Sequence, residues 1–448
     1  MRYAAVPRHY RRGEGGAPDH VVLWVCAIGD GAEAPPAAVV RFGGSEVPVA
    51  WRYAFQARVH TDEVAIPVGP ARAEVRVEVG GRVVATALVA APPVKLPGPG
   101  ERPYTVLIGS CYGVHRDKER LLARAAETLA RADASPDVKF LCGDQVYLDG
   151  GPTHPSHEPL AERFLGKYTA TWSDAGLLPL LRHGATYLTA DDHEFWNEYP
   201  AMRGTGSRTA EWESLARELF TLFQRREEPD GFAAGAVSFF ALDTRLDRDD
   251  ELDQFAPPAR MDALQRWLDA LPGPGVLVLG ETFFGEKWTV ATAAARGLGE
   301  VSHRPTIHGT LQEHAQYKRL TEMLASSGKT VVLVAGDVHW GRIAECRMPN
   351  GTRLLEVVSS PLTLADPGYS RPWRPWTKAP SPFEAAGLSA EVETLETPSG
   401  EPYQPAYNHF CTLEFSTPAD GAGVRLAVRH WPVGDHAPPG EIVYETLL

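Results

Sequence analysis

The sequence predicts an α/β core preceded by a small all-β sandwich, and three observations support this prediction. Before about residue 90, strand-like stretches are separated by turns of Gly, Pro or acidic residues rather than by helices. Residues 91–103 have the Pro- and Gly-rich composition of a linker. Beyond this linker, short Val- and Leu-rich runs alternate with amphipathic helical segments, as in α/β proteins. We therefore predict two domains, at residues 1–98 and 99–448.

The N-terminal strands are predicted from alternating side-chain character. Residues 74–79 read Glu-Val-Arg-Val-Glu-Val, which is the period-two pattern of a half-buried strand. Gly80-Gly81 directly after this run predicts a hairpin turn. The full set of strands expected in this part covers residues 20–28, 37–42, 47–57, 71–79 and 82–90.

The second part is predicted from buried runs and amphipathic helices. Short apolar runs, which suit a sheet covered on both faces, occur at 104–108, 138–141, 276–279 and 330–335, with a weaker candidate at 185–190. Helices are expected at 117–133, 211–226, 260–270 and 313–326, and strands return at 410–415 and 424–431. Residues 361–407 are rich in Pro, Trp and Tyr, and we interpret them as a long loop that either covers a site or lies on the surface.

Charge and hydropathy exclude several classes of protein. The chain of 448 residues has a net charge of −13, which argues against a general nucleic-acid or anionic-membrane surface because phosphates attract Lys and Arg. No apolar run approaches the about 20 residues that a membrane span needs. The segment after Arg11-Arg12 is too polar for an export signal, so a cytoplasmic location is expected. Nothing in the sequence indicates an oligomeric state.

Four short polar motifs follow the strand candidates, and they carry the functional prediction. They are Gly-Ser-Cys at 109–111, Gly-Asp-Gln-Val-Tyr at 143–147, Asp-Asp-His-Glu at 191–194 and Gly-Asp-Val-His at 336–339. Ligands of open α/β sheets bind beyond the carboxyl ends of the strands. The motifs therefore bring Cys, Asp, Tyr, His and Glu side chains, which bind metals and transfer protons, to one edge.

Two of the motifs offer oxygen ligands. The two oxygens of Asp144 can bridge two cations and Tyr147 can add a phenolate, although a helix cap with a packed Tyr explains this pair about as well. Four consecutive ionisable residues at 191–194 would repel one another without a cation or strong hydrogen bonds. The aromatic residues on both sides of them make a fully solvated turn the weaker explanation.

The other two motifs offer softer ligands. Asp337 and His339 have alternate spacing, so an extended chain would place both on one side, although a charge-paired His at a strand end is also compatible. Cys111 is a metal ligand if it is a thiolate, or the nucleophile of a Cys-dependent hydrolase with His193 or His339 as base. The five cysteines form no Cys-x-x-Cys pair, so reduced thiols are expected. Three of them are predicted to be small core residues, namely Cys26, Cys142 and Cys411.

Taken together, the four motifs resemble those of the calcineurin-like metallophosphoesterases, specifically the PhoD-like or alkaline phosphatase D branch. The resemblance covers most of the chain and extends to the segments at 21–25, 239–245, 265–268 and 356–360. It implies a metallophosphoesterase core of two mixed β-sheets flanked by helices behind the β-sandwich domain. It also implies a metal site similar to that of the purple acid phosphatases.

The resemblance implies a first metal ion, typically iron(III), and a second ion, calcium or otherwise zinc, manganese or magnesium. The implied ligands of the first ion are Cys111, Asp144, Tyr147 and His339. Asp144 would bridge to the second ion, whose other ligands are implied to be Asp192 and Asp337.

The implied reaction is the hydrolysis of a small-molecule phosphate ester by a hydroxide generated at the two-metal site. His193 would contact the phosphoryl oxygen or assist the leaving group, and Glu194 or Asp191 would orient it. Asn197 and Arg245 are candidate substrate contacts. For Arg245, an ion pair with one of its acidic sequence neighbours, Asp243 or Asp247, is at least as compatible.

Alternatives remain within and outside this class. A phosphodiesterase or phosphotriesterase needs the same metal pair, and a non-catalytic metal-binding interaction protein would carry a decayed form of it. The segment Gly280-Glu281-Thr282-Phe283 has no His where related phosphoesterases often place a metal ligand. The export signal that is common in the family is missing as well.

Overall fold

The structure is a computed structural model that describes residues 1–11, 19–29, 31, 33–150, 158–201, 203–204, 206, 208–227, 231–285, 310–365, 381–383 and 390–448. Within these residues the strands, in chain order, are β1 (Arg2–Arg11), β2 (His20–Ile28), β3 (Ala38–Phe42), β4 (Ser45–Val49), β5 (Tyr53–Phe55), β6 (Val59–Pro67), β7 (Ala73–Val79), β8 (Arg82–Val89), β9 (Tyr104–Gly109), β10 (Val138–Cys142), β11 (Ala185–Thr189), β12 (Phe232–Ala234), β13 (Val237–Ala241), β14 (Gly275–Val278), β15 (Thr330–Ala335), β16 (Arg342–Arg347), β17 (Arg353–Val358), β18 (Val392–Thr394), β19 (His409–Ser416), β20 (Arg425–Pro432) and β21 (Glu441–Leu447). The α-helices described are α1 (Leu121–Arg131), α2 (Leu160–Trp172), α3 (Leu178–Leu181), α4 (Ala210–Phe223), α5 (Pro258–Asp269) and α6 (Ala315–Ser326).

The N-terminal region forms two antiparallel sheets that pack against each other. Their strand orders are β1-β2-β6-β5 and β4-β3-β7-β8. Leu23 and Val25 of the first sheet share one apolar cluster with Val75 and Val77 of the second. The predicted all-β N-terminal part is therefore confirmed.

Two strands of this region, β1 and β6, were not expected from the sequence. Strand β1 buries Arg8 and His9, and β6 buries Thr61 and Asp62. Polar side chains at buried positions interrupt the alternation of apolar and polar residues that a strand prediction needs. The boundary at residues 98 and 99 stays a prediction, and backbone hydrogen bonds cross it between Leu88 and the Arg182–Gly184 segment.

The rest of the chain builds two mixed sheets. The first has the order β11-β10-β9-β19-β20-β21 and the second the order β12-β13-β14-β15-β17-β16-β18. Strands β9, β10 and β11 run parallel, as do β13, β14, β15 and β17, and antiparallel strands extend both sheets. This confirms the predicted core of two mixed sheets.

The two sheets enclose an apolar core, and helices cover their outer faces. Ile108 and Phe140 of the first sheet share a cluster with Val278 and Val334 of the second. On the outer faces, Leu141 packs in a cluster with residues of α1, α2 and α4, and Leu333 in one with residues of α5 and α6. Because successive strand residues alternate between these two clusters, both faces of each central strand are buried, as their apolar sequences predict.

The loops after the parallel strands of both sheets meet at one edge. The Cys111 backbone N–H donates to Gly143 O at 3.3 Å, which joins the loops after β9 and β10. Across the two sheets, the Asp337 backbone N–H donates to Ser110 Oγ at 3.0 Å. This edge is where the four polar motifs were expected to converge.

Several boundaries and elements differ from the prediction. The first helix begins at Leu121 rather than at residue 117, because Glu119 and Arg120 have positive φ angles that interrupt a helix. Helices α2 and α3 and strands β12, β13, β16, β17, β18 and β21 were not expected. Of the predicted loop at 361–407, residues 366–380 and 384–389 lie outside the described residues, so its role stays a prediction. No helix in the described part of the chain is long and apolar enough to cross a membrane.

Candidate metal centre

Four of the predicted ligands occupy left-handed backbone conformations. The φ angles are 59° for Cys111, 58° for Asp144, 67° for Asp337 and 56° for His339. A residue with a Cβ atom reaches this region at a cost of about 1–3 kcal/mol, and such residues cluster at functional sites. Each of the four follows a strand end, so the sharp turn places its side chain over the edge of the sheet.

The side chains predicted to bind the first ion lie close together. The Cys111 sulfur, an Asp144 oxygen and a His339 nitrogen lie within 4.8 Å of one another. The Tyr147 hydroxyl donates to Asp144 Oδ2 at 3.0 Å and lies 3.5 Å from His339 Nε2. This combination of sulfur, nitrogen and oxygen donors suits a transition metal better than calcium or magnesium.

The second group consists of carboxylates. Oxygens of Asp191, Asp192 and Asp337 lie within 4.8 Å of one another, and Asp144 and Asp192 form a further group with His193. Asp144 thus belongs to groups on both sides. A donor set of this kind, made of oxygens alone, suits a hard cation such as calcium, magnesium or manganese.

Two oxygens of the second group show that the site fits a cation. Asp191 Oδ2 and Asp192 Oδ1 are buried and have no hydrogen-bond partner among the described residues. Buried polar atoms are rarely left without a partner, and a buried carboxylate needs a counter-charge. A cation between these carboxylates supplies both.

The pKa shifts of the predicted ligands also indicate that several acidic groups are buried close together. Burial raises the pKa of Asp144 well above its ordinary value. His193 lowers this pKa, but the surrounding carboxylates raise it further. Burial together with Asp192 and Glu281 raises the pKa of Asp337 to about 7. Burial and Asp144 also raise the pKa of the Cys111 thiol. A bound cation reverses these shifts because it favours the charged form of each ligand.

His193 lies beside both groups and contacts two carboxylates. Its Nδ1 lies 2.7 Å from Asp149 Oδ1, and its Nε2 lies 3.9 Å from Asp192 Oδ1. Burial lowers the pKa of His193, but the carboxylates of Asp192, Asp144 and Asp149 outweigh this effect and raise the pKa well above its ordinary value. These carboxylates therefore favour the protonated form of the imidazole.

The residue that orients His193 is Asp149, which the sequence analysis did not select. Asp149 binds His193 through one oxygen and accepts from the Asn197 backbone N–H at 2.7 Å through the other. The expectation that Glu194 or Asp191 orients His193 is wrong. Asp149 follows Tyr147 by two residues in the same loop, and this proximity was the available signal.

Glu194 has a different role from the one expected. It is buried and accepts backbone hydrogen bonds from Asp144, Gln145 and Asp191 at 2.8–3.0 Å. These bonds join the loop after β10 to the loop after β11. Glu194 therefore holds the ligand loops together rather than acting on a substrate.

Arg245 is buried and forms ion pairs, which favours the structural explanation of this residue over a contact with substrate. Its Nε donates to Asp191 Oδ1 at 2.8 Å, and its Nη2 donates to Glu281 Oε1 at 2.6 Å. An ion pair of Arg245 was the alternative that the sequence left open, and in the structure its carboxylate partners include Asp191 and Glu281, which are remote in sequence. Arg248 forms a second ion pair with Glu281.

Two serines that the sequence analysis did not select position the first ligand group. Ser110 Oγ lies 3.4 Å from Cys111 Sγ, and the Ser360 hydroxyl donates to the same sulfur at 3.3 Å. Ser360 Oγ also accepts from the His339 backbone N–H at 3.1 Å. Asn197 is half-buried beside this site, and its contact with substrate stays a prediction.

Comparisons with known proteins place the fold. No protein-family model matches the chain, and no curated protein matches its sequence. A solved structure described as the structure of PhoD aligns with 99% of this chain and 88% of its own, with a TM-score of 0.63 and 16% identity. The chain has the fold of PhoD. A structure of TT1561 of Thermus thermophilus aligns with 59% of this chain and 92% of its own at 12% identity, but its TM-score of 0.28 is too low to support an argument.

Proposed function

We propose that this chain is a metal-dependent hydrolase of phosphate esters, with an alkaline phosphatase D-like activity. One observation carries the proposal. Two candidate ligand groups share Asp144, and His193 lies beside both of them, with Asp149 bound to its Nδ1. The PhoD fold supports the assignment because it agrees with the reaction class that the motifs imply.

The residues fit a pair of metal ions. Cys111, Asp144, Tyr147 and His339 would hold the first, and Asp144, Asp192 and Asp337 the second, with Asp191 close by. Iron(III) suits the first group and calcium the second, with zinc, manganese or magnesium as alternatives. Such a pair supplies Lewis acidity for phosphoryl oxygens and a water nucleophile active near neutral pH.

The side chains around the ions perform the remaining tasks. Because Asp149 binds His193 Nδ1, the proton on Nε2 is directed to the other side of the ring, where it can pass to a leaving-group oxygen. Arg245 holds Asp191 in place from beneath. Ser110 and Ser360 hold Cys111 in the same way.

A Cys-dependent hydrolase is disfavoured by the surroundings of Cys111. Burial and the neighbouring Asp144 raise the pKa of this thiol, so without a metal it is a protonated thiol and a poor nucleophile. In the two-metal mechanism the nucleophile is a water molecule, so Cys111 does not have to be activated by a catalytic base. Retention of every predicted ligand also disfavours a decayed, non-catalytic site.

The test combines metal analysis, a visible spectrum and two ester assays. Purified protein is expected to contain metal, to hydrolyse p-nitrophenyl phosphate or its bis-ester, and to lose this activity on chelation. If iron(III) occupies the first position, a broad tyrosinate charge-transfer band is expected that Tyr147→Phe removes and Tyr112→Phe, a control at a buried tyrosine outside the ligand set, keeps. Hydrolysis by metal-free protein would overturn the proposal.

A further inference from the structure

A second group of metal-binding side chains lies outside the candidate metal centre. One ligand atom each from His409, Cys411 and His430 lies within 4.8 Å of the others, and all three residues are buried. We call these residues the His409 cluster. His409 and Cys411 are two positions apart on β19, and Cys411 pairs with His430 across to β20, so all three lie on one face of the sheet.

This face lies inside the protein, between the two mixed sheets. Cys411 belongs to the apolar cluster that fills the space between them. The His409 cluster therefore contains one sulfur and two nitrogen donors that lie close together and are buried from solvent. Outer-face residues of the same strands, such as Phe410 and Trp431, pack against the helical layer instead.

The tautomer of His409 is set by its neighbours. His409 Nδ1 lies 2.8 Å from the backbone oxygen of Tyr407, and since that oxygen only accepts, Nδ1 carries the proton. Nε2 is then the nitrogen with the lone pair. It is buried and has no hydrogen-bond partner among the described residues. A histidine whose second nitrogen is anchored on a carbonyl in this way is typical of metal ligands.

Tyrosines complete the surroundings of the other two side chains. The Tyr403 hydroxyl lies 3.1 Å from Cys411 Sγ and 2.7 Å from His430 Nδ1. The Tyr407 hydroxyl lies 3.1 Å from His430 Nε2. No carboxylate is a member of the cluster. The donors are thus sulfur, nitrogen and phenol oxygen, which disfavours calcium and magnesium.

We propose that His409, Cys411 and His430 bind a structural divalent transition-metal ion, preferably zinc, with the Tyr403 hydroxyl as the nearest fourth donor. Zinc takes Cys and His ligands in tetrahedral sites, and closed, buried sites of this kind are structural. Bond lengths to zinc place ligand atoms about 3.5 Å apart, so the three donors close in from separations of up to 4.8 Å. Tyr403 then either binds the ion or gives up its hydrogen bonds to Cys411 and His430.

The expected effect of this ion is to tie β19 to β20 behind the candidate metal centre. The Cys411 backbone N–H donates to Ser359 Oγ at 3.0 Å, and the next residue, Ser360, donates to Cys111 Sγ. The His409 backbone N–H donates to Pro361 O at 2.8 Å. An ion in the His409 cluster therefore stabilises the segment that supports the first ligand group without itself meeting substrate.

The two sites are separated experimentally because each has its own cysteine. Chelator-treated Cys111→Ser protein is titrated with cobalt(II), whose thiolate charge-transfer band reports a Cys ligand directly. We expect this variant to show a cobalt(II)–thiolate band. Added zinc(II) should displace the cobalt(II), and the band should then disappear. Cys111→Ser/Cys411→Ser is expected to lose the band, and Cys111→Ser/Cys346→Ser, a control at a buried thiol outside both groups, to keep it.

The proposal is overturned if the Cys111→Ser protein binds cobalt(II) without a thiolate band, or if Cys411→Ser leaves the band intact. The first of these outcomes needs no substitution in the His409 cluster, so it is decisive even if Cys411→Ser does not fold. His409→Gln adds a second readout and is expected to weaken cobalt(II) binding in the Cys111→Ser protein. None of these measurements uses phosphate-ester hydrolysis, so their outcome is independent of the proposed function.

Discussion

The candidate metal centre and the His409 cluster use similar ligands in opposite settings. Cys111 and His339 of the metal centre lie in loops, at left-handed φ angles, among buried carboxylates. Cys411 and His409 lie in a regular strand, and their neighbours are neutral tyrosines. The difference indicates that the loops of the candidate metal centre hold charged ligands, whereas the strands of the His409 cluster hold neutral side chains in a rigid arrangement.

Electrostatics explains why the two settings differ in what they demand. Two carboxylate oxygens of the candidate metal centre have no hydrogen-bond partner among the described residues. The negative charges of these carboxylates therefore require cations. In the His409 cluster, burial lowers the pKa of His409 to about 4, so its imidazole is neutral near pH 7. A neutral cluster can persist with or without an ion. The proposed hydrolysis of a charged substrate is therefore assigned to the first setting.

The largest expected loss of stability comes from removing the buried arginine that pairs with the carboxylates of the candidate metal centre. Arg245→Met leaves Asp191 buried without its arginine partner and Glu281 with Arg248 alone, and we expect the free energy of unfolding to fall by about 3–5 kcal/mol. Urea denaturation measures this change. Arg425→Met, which removes an exposed ion pair with Glu445, is the control and should cost about 1 kcal/mol or less. Equal losses in the two variants would contradict the importance of this buried charge.

A smaller effect is expected from the residue that orients His193. Asp149→Asn should lower kcat by about 10–100-fold, the usual range for a residue that positions a metal-site side chain. Asp149 helps to raise the pKa of His193, so its loss lowers that pKa. A proton donor is lost as pH rises through its pKa, and the alkaline limb of the kcat profile should therefore move to lower pH.

The matched control for this change is Asp247→Asn, a carboxylate that pairs with Arg217 on the surface. It should leave both kcat and the pH profile unchanged. A profile that keeps its alkaline limb in Asp149→Asn would show that His193 is not the proton donor, whatever the change in kcat.

The smallest expected effect tests the neutral character of the His409 cluster. Tyr403→Phe removes a hydroxyl that contacts Cys411 and His430, and we expect the free energy of unfolding to fall by about 1–2 kcal/mol. Its kcat should fall less than that of Asp149→Asn. Tyr3→Phe, whose hydroxyl contacts an exposed Met1 sulfur, is the control for loss of a phenol group. A loss as large as that of Arg245→Met would mean that the cluster depends on charge after all.

Much of the fold and of the ligand set could be predicted because the signals are local. Apolar runs such as the one before Gly336 announce buried strands, and the polar residues that follow them must lie at the strand ends. Strands β1 and β6 were missed because their buried polar residues hide the strand pattern. The partners of Arg245 could not be predicted because Asp191 and Glu281 are 54 and 36 residues away in sequence.

The sequence by itself determined the α/β core, the all-β N-terminal part and the four motifs that form the candidate metal centre. These follow from residues near one another in the chain, where backbone conformation and side-chain pattern are coupled. Only the tertiary structure decided that Asp149 pairs with His193, that Arg245 binds Asp191 and Glu281, and that His430 faces Cys411. Such pairs depend on strand order and loop packing, which bring together residues that no local pattern connects.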